Sequence, residues 1–95
     1  MFIVILKYEK PIETVMEYLD EHIVFLDRYY ADNKFICSGR QEPRTGGIIL
    51  CNAKDKTEVN SIIKEDPFYI NNIAKYEIIE FITTNFADGF KEFIV

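Results

Sequence analysis

The chain has 95 residues and a formal net charge of −5, with 11 lysines and arginines against 16 aspartates and glutamates. This length predicts one domain, residues 1–95, because globular domains usually need roughly 50 to 250 residues. With 48% hydrophobic and 15% aromatic residues the chain can bury a core, which excludes a disordered tail. The acidic balance and the lack of a basic cluster argue against nucleic acid as a partner.

The N-terminus and the cysteines bear on the compartment. Residues 1–6 are apolar, but they lack the basic leader and cleavage site of a signal peptide and reach Lys7 too early to span a bilayer. The 2 cysteines, Cys37 and Cys51, have no zinc-binding spacing. We expect a cytoplasmic protein with no membrane contact, metal or cofactor, whose cysteines behave as small buried hydrophobes.

The first half of the chain begins with a strand and a helix. Residues 2–8 are almost all β-branched, aromatic or leucine and predict the strand, and Pro11 suits the first turn of a helix. Over residues 12–30 apolar side chains recur every three or four positions and predict one long amphipathic helix, with its exit at Asp32. Its expected core stripe is Val15, Met16, Leu19, Ile23, Leu26 and Tyr30.

The second half predicts a hairpin, a shorter helix and a last strand. Strands are expected at residues 35–39 and 47–51, with a turn containing Pro43 between them. Asp55 or Thr57 can cap the second helix, which ends before Asp66. After a turn or half-formed helix at residues 68–74, the fourth strand is expected over residues 76–83.

This order predicts an α+β fold of the ferredoxin-like split βαβ (βαββαβ) type, with a four-stranded antiparallel sheet and both helices on one face. The first strand is apolar on both sides, so the bare sheet face would present an apolar patch rarely seen on monomers. We therefore expect a homodimer through the open sheet face. The tail, residues 85–95, is expected to pack across this dimer or to extend a sheet edge.

His22 and Asp66 are the candidates for chemistry. His22 is the only histidine and lies at the edge of the predicted stripe, where an imidazole can exchange a proton near neutral pH. The alternative is a helix-surface histidine with its ring against apolar neighbours. Pro67 biases Asp66 toward extended backbone, from which its carboxylate can reach a cleft and orient His22. The alternative for Asp66 is a cap that only ends the second helix.

These residues belong to a series of short motifs that resembles the YciI-like (YCII-related) proteins of the dimeric α+β barrel superfamily. The family pattern is a histidine in the first helix, a strand ending in a small residue and glycine, a glycine-led hydrophobic strand, and Asp-Pro-aromatic before the last strand. The matching residues, in order along nearly the whole chain, are His22, Ser38, Gly39, Gly47, Ile48, Ile49, Leu50, Asp66, Pro67 and Phe68.

The resemblance implies that His22 and Asp66 meet at a catalytic pocket. The substrate-pocket residues it implies are Ser38, Gly39, Pro67 and Phe68. The implied activity is cofactor-independent proton transfer, of the elimination or isomerisation type, on a small organic substrate that includes aromatic candidates. Some relatives are associated with dehydrochlorination of a hydroxylated aromatic, and other branches with lactone isomerisation. The alternative is a non-enzymatic dimer that binds a small metabolite or serves as an accessory module.

The chain departs from the family pattern at two positions. Family members often carry arginine three residues before the histidine, where this chain has Leu19, and proline after the glycine of the second strand, where it has Arg40. Arg40 or Arg44 of the hairpin could supply the positive charge instead. The alternative is that both are solvated turn arginines.

Overall fold

The computed structural model describes residues 1–94, which form a four-stranded antiparallel sheet in the order β2-β3-β1-β4. In chain order the elements are β1 (Phe2–Tyr8), α1 (Ile12–Glu17), α2 (Leu19–Ala31), β2 (Phe35–Arg40), β3 (Gly46–Cys51), α3 (Lys56–Ile63), α4 (Pro67–Ile70) and β4 (Ala74–Glu80), followed by a 3-10 helix (Asp88–Phe93). The predicted α+β, ferredoxin-like fold class is confirmed.

Strand β1 lies inside the sheet and separates its two faces. Phe2, Val4 and Leu6 are buried under the helices, whereas Ile3 and Ile5 are only half-buried on the opposite face. This alternation follows from the two-residue period of a strand. The core on the helix side is completed by Val15, Phe25, Tyr29, Phe35, Ile49, Val59, Ile62, Ile63, Phe68 and Ile73. The open face is defined by Ile3, Ile5 and their neighbours on β3 and β4, and no helix within residues 1–94 covers it.

The chain breaks its helix at Tyr18, so the prediction of one continuous helix over residues 12–30 is wrong. Tyr18 has φ −105° and ψ 1°, whereas an α-helix has ψ near about −42°. Its N–H donates to the carbonyl of Val15 at 3.1 Å, which closes the last turn of α1. The helical phase is therefore reset before Leu19, and the faces of α2 cannot be read by continuing the period of α1.

The buried face of α2 consists of His22, Phe25 and Tyr29, none of which belongs to the predicted stripe. The rings of Phe25 and Tyr29 lie 5.6 and 5.4 Å from the ring of Phe35 at the start of β2. Ile23, which the prediction placed in the core, is 42% exposed. Aromatic rings bury more apolar area than an isoleucine side chain, so they occupy the sheet side of the helix.

The predicted hairpin and second helix are present. Strand β2 extends to Arg40 and β3 begins at Gly46, each one residue beyond the prediction. Of the two candidate caps for α3, Asp55 fills the role, because its carboxylate accepts a hydrogen bond from the N–H of Glu58 at 2.9 Å. A cap of this kind satisfies a backbone donor that the helix itself leaves free.

Strand β4 begins two residues earlier and ends three residues earlier than the predicted strand over residues 76–83. Asn72 adopts left-handed backbone, with φ 56°, and Ile73 then donates a hydrogen bond back to α4, so the chain enters the sheet early. Pairing ends where Phe2 faces Glu80, because β1 begins there. The last residue of β4 therefore depends on where the neighbouring strand β1 begins.

The C-terminal segment forms the 3-10 helix rather than an edge strand, so the prediction that it extends a sheet edge is wrong. The side-chain amide of Asn52 donates to the carbonyl of Phe93 at 2.9 Å and ties this helix to the end of β3. Packing of the tail across a dimer stays a prediction, and its last residue, Val95, lies outside the described residues.

The two cysteines differ in environment. Cys51 is buried, as expected, and burial raises the pKa of its thiol to about 11. Cys37 is exposed, so the expectation of a buried hydrophobe is wrong there. It lies on the edge strand β2 opposite Leu50, on the open face of the sheet. Within residues 1–94, no helix is long and apolar enough to cross a membrane.

Candidate active site

His22 and Asp66 lie 44 residues apart in the sequence and form a hydrogen bond in the structure, with 2.8 Å between Nδ1 and Oδ1. Both are buried: Asp66 is 0% exposed and His22 is 8% exposed. Because Nδ1 is occupied by Asp66, Nε2 is the ring nitrogen left for proton exchange. The structure therefore brings together the two residues that the sequence singled out.

Asp66 caps a helix and also contacts the histidine of the site. Asp66 is the N-cap of α4, with extended backbone at φ −72° and ψ 125°, and Pro67 is the first helical residue. Its Oδ1 accepts a hydrogen bond from the N–H of Phe68 at 2.9 Å as well as contacting His22. The capping role and the histidine-orienting role, which were alternatives in the sequence, are both filled by one carboxylate.

Tyr76 completes the environment of Asp66. Its hydroxyl donates a hydrogen bond to Oδ2 of Asp66. A carboxylate has only acceptors, so the donors to Asp66 are the hydroxyl of Tyr76, the N–H of Phe68 and Nδ1–H of His22. Burial, with the charge of Asp66 beside it, raises the pKa of Tyr76 far above its ordinary value, which keeps the phenol a donor.

Sequence reasoning missed Tyr76, because its place depends on strand pairing. Tyr76 faces Leu6 in the register between β4 and β1. Side chains of directly opposed residues lie on the same face of a sheet, so Tyr76 shares the helix side with Leu6 and reaches Asp66. Only a knowledge of this register would have found it.

Phe68 sets the plane of the imidazole. The rings of Phe68 and His22 are parallel within 1°, with centroids 4.0 Å apart. The rings of Phe68 and Tyr8 also form a T-shaped pair, with centroids 6.2 Å apart and planes at 87°. A ring held on one side by stacking and at one nitrogen by a carboxylate has little freedom to rotate.

A cavity of about 220 Å³ opens beside His22, between α2 and the sheet. Its wall consists of Leu6, Tyr8, Leu19, His22, Ile23, Leu26, Ser38, Gly39, Arg40, Arg44, Gly47, Ile48, Ile49 and Phe68. The predicted pocket residues Ser38, Gly39 and Phe68 are in this wall. Pro67 is not in this wall: it starts α4 and lines a different surface groove together with Val24, so its place in the substrate pocket stays a prediction.

The cavity wall is apolar on the helix side and polar on the hairpin side. Three residues of the predicted stripe line the cavity: Leu19 and Leu26, which also pack against the core, and the more exposed Ile23. On the hairpin side, the hydroxyl of Ser38 is bonded to that of Tyr30 at 2.5 Å. Both hairpin arginines also line the cavity.

This arrangement suits proton transfer. Residues 1–94 contain no group of three or more histidine, cysteine, aspartate or glutamate side chains placed to hold a metal ion. The available groups are an imidazole with one free nitrogen, a buried carboxylate behind it, and an apolar cavity in front of it. Such a set can take a proton from a bound organic molecule and return it.

Comparisons with known proteins agree with this fold. One similar solved structure is 5-chloro-2-hydroxyhydroquinone dehydrochlorinase (TftG) from Burkholderia phenoliruptrix AC1100, in complex with 2,5-dihydroxybenzoquinone. Its TM-score is 0.72 at 18% identity, covering 86% of this chain and 94% of that chain, which shows a shared fold. No curated protein matches the sequence. The family model of the YCII-related domain matches residues 1–82, and the chain therefore belongs to the YCII-related, or YciI-like, family.

Proposed function

We propose that this protein is a cofactor-independent enzyme that moves a proton on a small organic substrate, with His22 as the base and Asp66 as its orienting partner. The observation that carries the proposal is the 2.8 Å hydrogen bond between them at the wall of a cavity of about 220 Å³. Asp66 holds the proton on Nδ1 and stabilises the imidazolium that forms when Nε2 accepts a second proton.

The reaction class follows from what one base can do. Nε2 of His22 takes a proton from a carbon of the substrate, and the electron pair of that C–H bond forms a new double bond. In an elimination, the leaving group departs with its own bonding pair. In an isomerisation, the imidazolium returns the proton to another atom of the same molecule, so that no oxidant or cofactor is consumed.

The volume of the cavity fits a substrate with a single ring. An engineered protein cavity of about 150 Å³ admits benzene, and the cavity here is about 220 Å³. TftG is named as a dehydrochlorinase of a chlorinated hydroxyhydroquinone and was solved with a dihydroxybenzoquinone. Both are one-ring molecules, so single-ring hydroxylated compounds are the first candidates for this chain.

The test is a screen for proton exchange. Chlorinated hydroquinones and unsaturated lactones are incubated with the protein in D2O, and deuterium incorporation and chloride release are followed by NMR and ion analysis. We expect at least one compound to react with the native protein, and neither His22→Gln nor Asp66→Asn to support the reaction. Glu21→Gln, at an exposed position one residue from His22, is the matched control.

The alternative function is a non-enzymatic module that binds a small metabolite in the same cavity. It predicts ligand binding without exchange in the native protein, and equal binding by His22→Gln. Exchange by the native protein that disappears in His22→Gln would exclude it. A cytoplasmic location and a single domain over residues 1–95 remain predictions.

We also propose that the protein is a homodimer through the open face of the sheet. The register places Ile3 opposite Leu50 and Ile79, and Ile5 opposite Ile48, which makes one continuous apolar surface. Lys75 and Glu77 lie on the same face. In a two-fold arrangement these opposite charges can meet across the interface while the isoleucines cover one another, so a second copy of the chain is the occupant that fits.

A further inference from the structure

We infer that the cavity beside His22 binds an organic anion, whose charged oxygen is held by Arg44. The inference names the substrate class for the proposed function. It rests on that function only where it gives His22 a role in the reaction. Arg44 itself is a binding and specificity-determining residue.

The charge of the cavity wall is opposite to that of the protein. The chain as a whole has a net charge of −5. The wall nevertheless contains Arg40 and Arg44 and no aspartate or glutamate, since Asp66 lies behind His22 and outside the wall. Beside an apolar, low-dielectric wall, a positive charge attracts an anion more strongly than it would in water.

Arg44 lacks the partners that the other arginines have. Arg28 pairs with Glu65 at 2.6 Å, and Arg40 pairs with Glu42 at 3.3 Å. Arg44 forms no ion pair with any carboxylate in residues 1–94.

The guanidinium of Arg44 is also short of hydrogen bonds. Its Nε is buried and has no hydrogen-bond partner within the described residues. Its Nη2 donates to Sδ of Met16 at 3.3 Å, and a thioether is a weak acceptor. Buried donors almost always have partners, so an anion bound in the cavity would supply what this guanidinium lacks.

The hairpin holds Arg44 in place against the sheet. The N–H of Gln41 donates to the carbonyl of Gly46 at 2.9 Å, and the N–H of Thr45 donates to the carbonyl of Pro43 at 2.8 Å. A side chain at Gly46 would place its Cβ 1.8 Å from the carbonyl oxygen of Leu6. The turn therefore lies directly on β1, which also contributes Leu6 to the cavity wall.

The shape of the wall defines the rest of the ligand. A guanidinium binds the oxygens of a carboxylate through two parallel N–H groups, and it also binds a single phenolate or enolate oxygen. Leu19, Leu26 and Phe68 present an apolar surface in the same cavity. The ligand is therefore a small apolar body with one anionic oxygen group. When His22 removes a proton next to a carbonyl, the negative charge passes to that oxygen, where Arg44 can stabilise it.

The test compares charged and neutral probes of similar shape by calorimetric or NMR titration of the full chain. Benzoate is paired with benzamide, and 4-nitrophenolate with 4-nitroanisole. We expect the native protein to prefer the charged member of at least one pair, and Arg44→Met to lose that preference by about tenfold or more while binding the neutral member equally well. A preference for the charged probe in the first pair alone identifies a carboxylate as the ligand. A preference in the second pair alone identifies a phenolate or enolate.

The controls separate charge from fold. Lys91→Met removes one positive charge from an exposed residue of the 3-10 helix and should bind every probe as the native protein does. Arg44→Lys keeps the charge and should retain part of the preference. If Arg44→Met does not fold, the inference is tested by the preference of the native protein for the charged probe and by the change in that preference in Arg44→Lys. Equal binding of charged and neutral probes by the native protein, or an undiminished preference in Arg44→Met, would overturn the inference.

The titration and the proton-exchange assay together distinguish this inference from the proposed function. His22→Gln should retain the preference for the charged probe, because Arg44 is unchanged. An Arg44-dependent preference without proton exchange on any compound leaves the anion site standing and removes the enzymatic proposal. If proton exchange occurs only on neutral compounds and is undiminished in Arg44→Met, the enzymatic proposal stands and the anion site is removed.

Discussion

The hydroxyl of Tyr76 and the carboxylate of Asp66 are joined by a hydrogen bond at Oδ2, while Oδ1 of the same carboxylate contacts His22. Asp66 is thereby held from β4 on one side and from α2 on the other. A carboxylate with both oxygens occupied cannot turn away from the imidazole, so Tyr76 is a positioning residue for the proposed base.

Tyr76→Phe should lower the turnover rate of the proton-transfer reaction about tenfold with little change in KM, because Asp66 loses a donor while the cavity is unchanged. It should also lower the free energy of unfolding by about 1–3 kcal/mol, since a buried acceptor is left unpaired. Steady-state kinetics and urea unfolding measure both. Tyr69→Phe, at an exposed tyrosine of α4, is the control and should change neither. Native kinetics in Tyr76→Phe would show that Tyr76 has a purely structural role.

Asp66→Asn should abolish activity while the helix cap survives, because an asparagine oxygen still accepts from the N–H of Phe68 but no longer stabilises the imidazolium. Asp55→Asn makes the same change at the cap of α3 and should leave activity intact. Circular dichroism and the exchange assay compare the two variants. Equal loss of activity in both would mean that helix capping, and not the contact with His22, is what the reaction needs.

Gly46→Ala should destabilise the protein by about 2 kcal/mol or more, because overpacking against rigid backbone cannot relax. The added Cβ would lie 1.8 Å from the carbonyl oxygen of Leu6. Gly89→Ala is the matched control, since a Cβ there meets nothing within 4 Å. Thermal and urea unfolding test the pair. Similar stabilities for the two variants would argue that the hairpin does not rest on β1 as described.

Cys51 should resist thiol reagents at pH 8, because burial raises its pKa to about 11 and little thiolate forms in the folded state. The measurement uses a Cys37→Ser variant, so that one thiol remains, and follows its rate of reaction with a disulfide reagent. Urea should make the reaction fast, since the unfolded thiol returns to an ordinary pKa of about 8.5. Fast reaction of the folded variant would contradict the burial.

The raised pKa of Cys51 also makes the stability of the protein depend on pH. The folded pKa of Cys51 is raised above the unfolded value, so its contribution to stability is complete below about pH 8.5 and declines as the pH rises toward about 11. A Cys51→Ala variant removes this contribution. The difference in pH dependence between it and the native protein, from urea unfolding at pH 7 and pH 10, isolates the thiol.

The dimer proposal predicts a mass of twice 11.2 kDa in solution by light scattering. Ile79→Lys places a charge on the open face, opposite Ile3, and should give monomers, because burying a charge in an apolar interface is costly. Ile82 is 83% exposed and follows β4 beyond the paired region, so Ile82→Lys is the control and should remain dimeric. A monomeric native protein at micromolar concentration would refute the proposal.

The order of strands and helices could be predicted from sequence because its signals are local. Runs of β-branched residues and the three-and-four spacing of apolar residues depend only on neighbours along the chain. The break at Tyr18 and the bounds of β4 could not be predicted in this way. The dihedral angles of Tyr18 interrupt a segment whose apolar spacing predicts a continuous helix, and the end of β4 depends on where β1 begins, which is a contact between distant segments.

By itself, the sequence determined the fold class and marked His22 and Asp66 as candidates, because residue type and local spacing limit what each segment can form. Only the tertiary structure decided that these residues touch, that Tyr76 joins them, and that Arg44 enters the same cavity. Those relationships come from strand register and from the placement of a helix and a hairpin against one sheet. Long-range packing sets such geometry, and no spacing along the chain encodes it in a readable form.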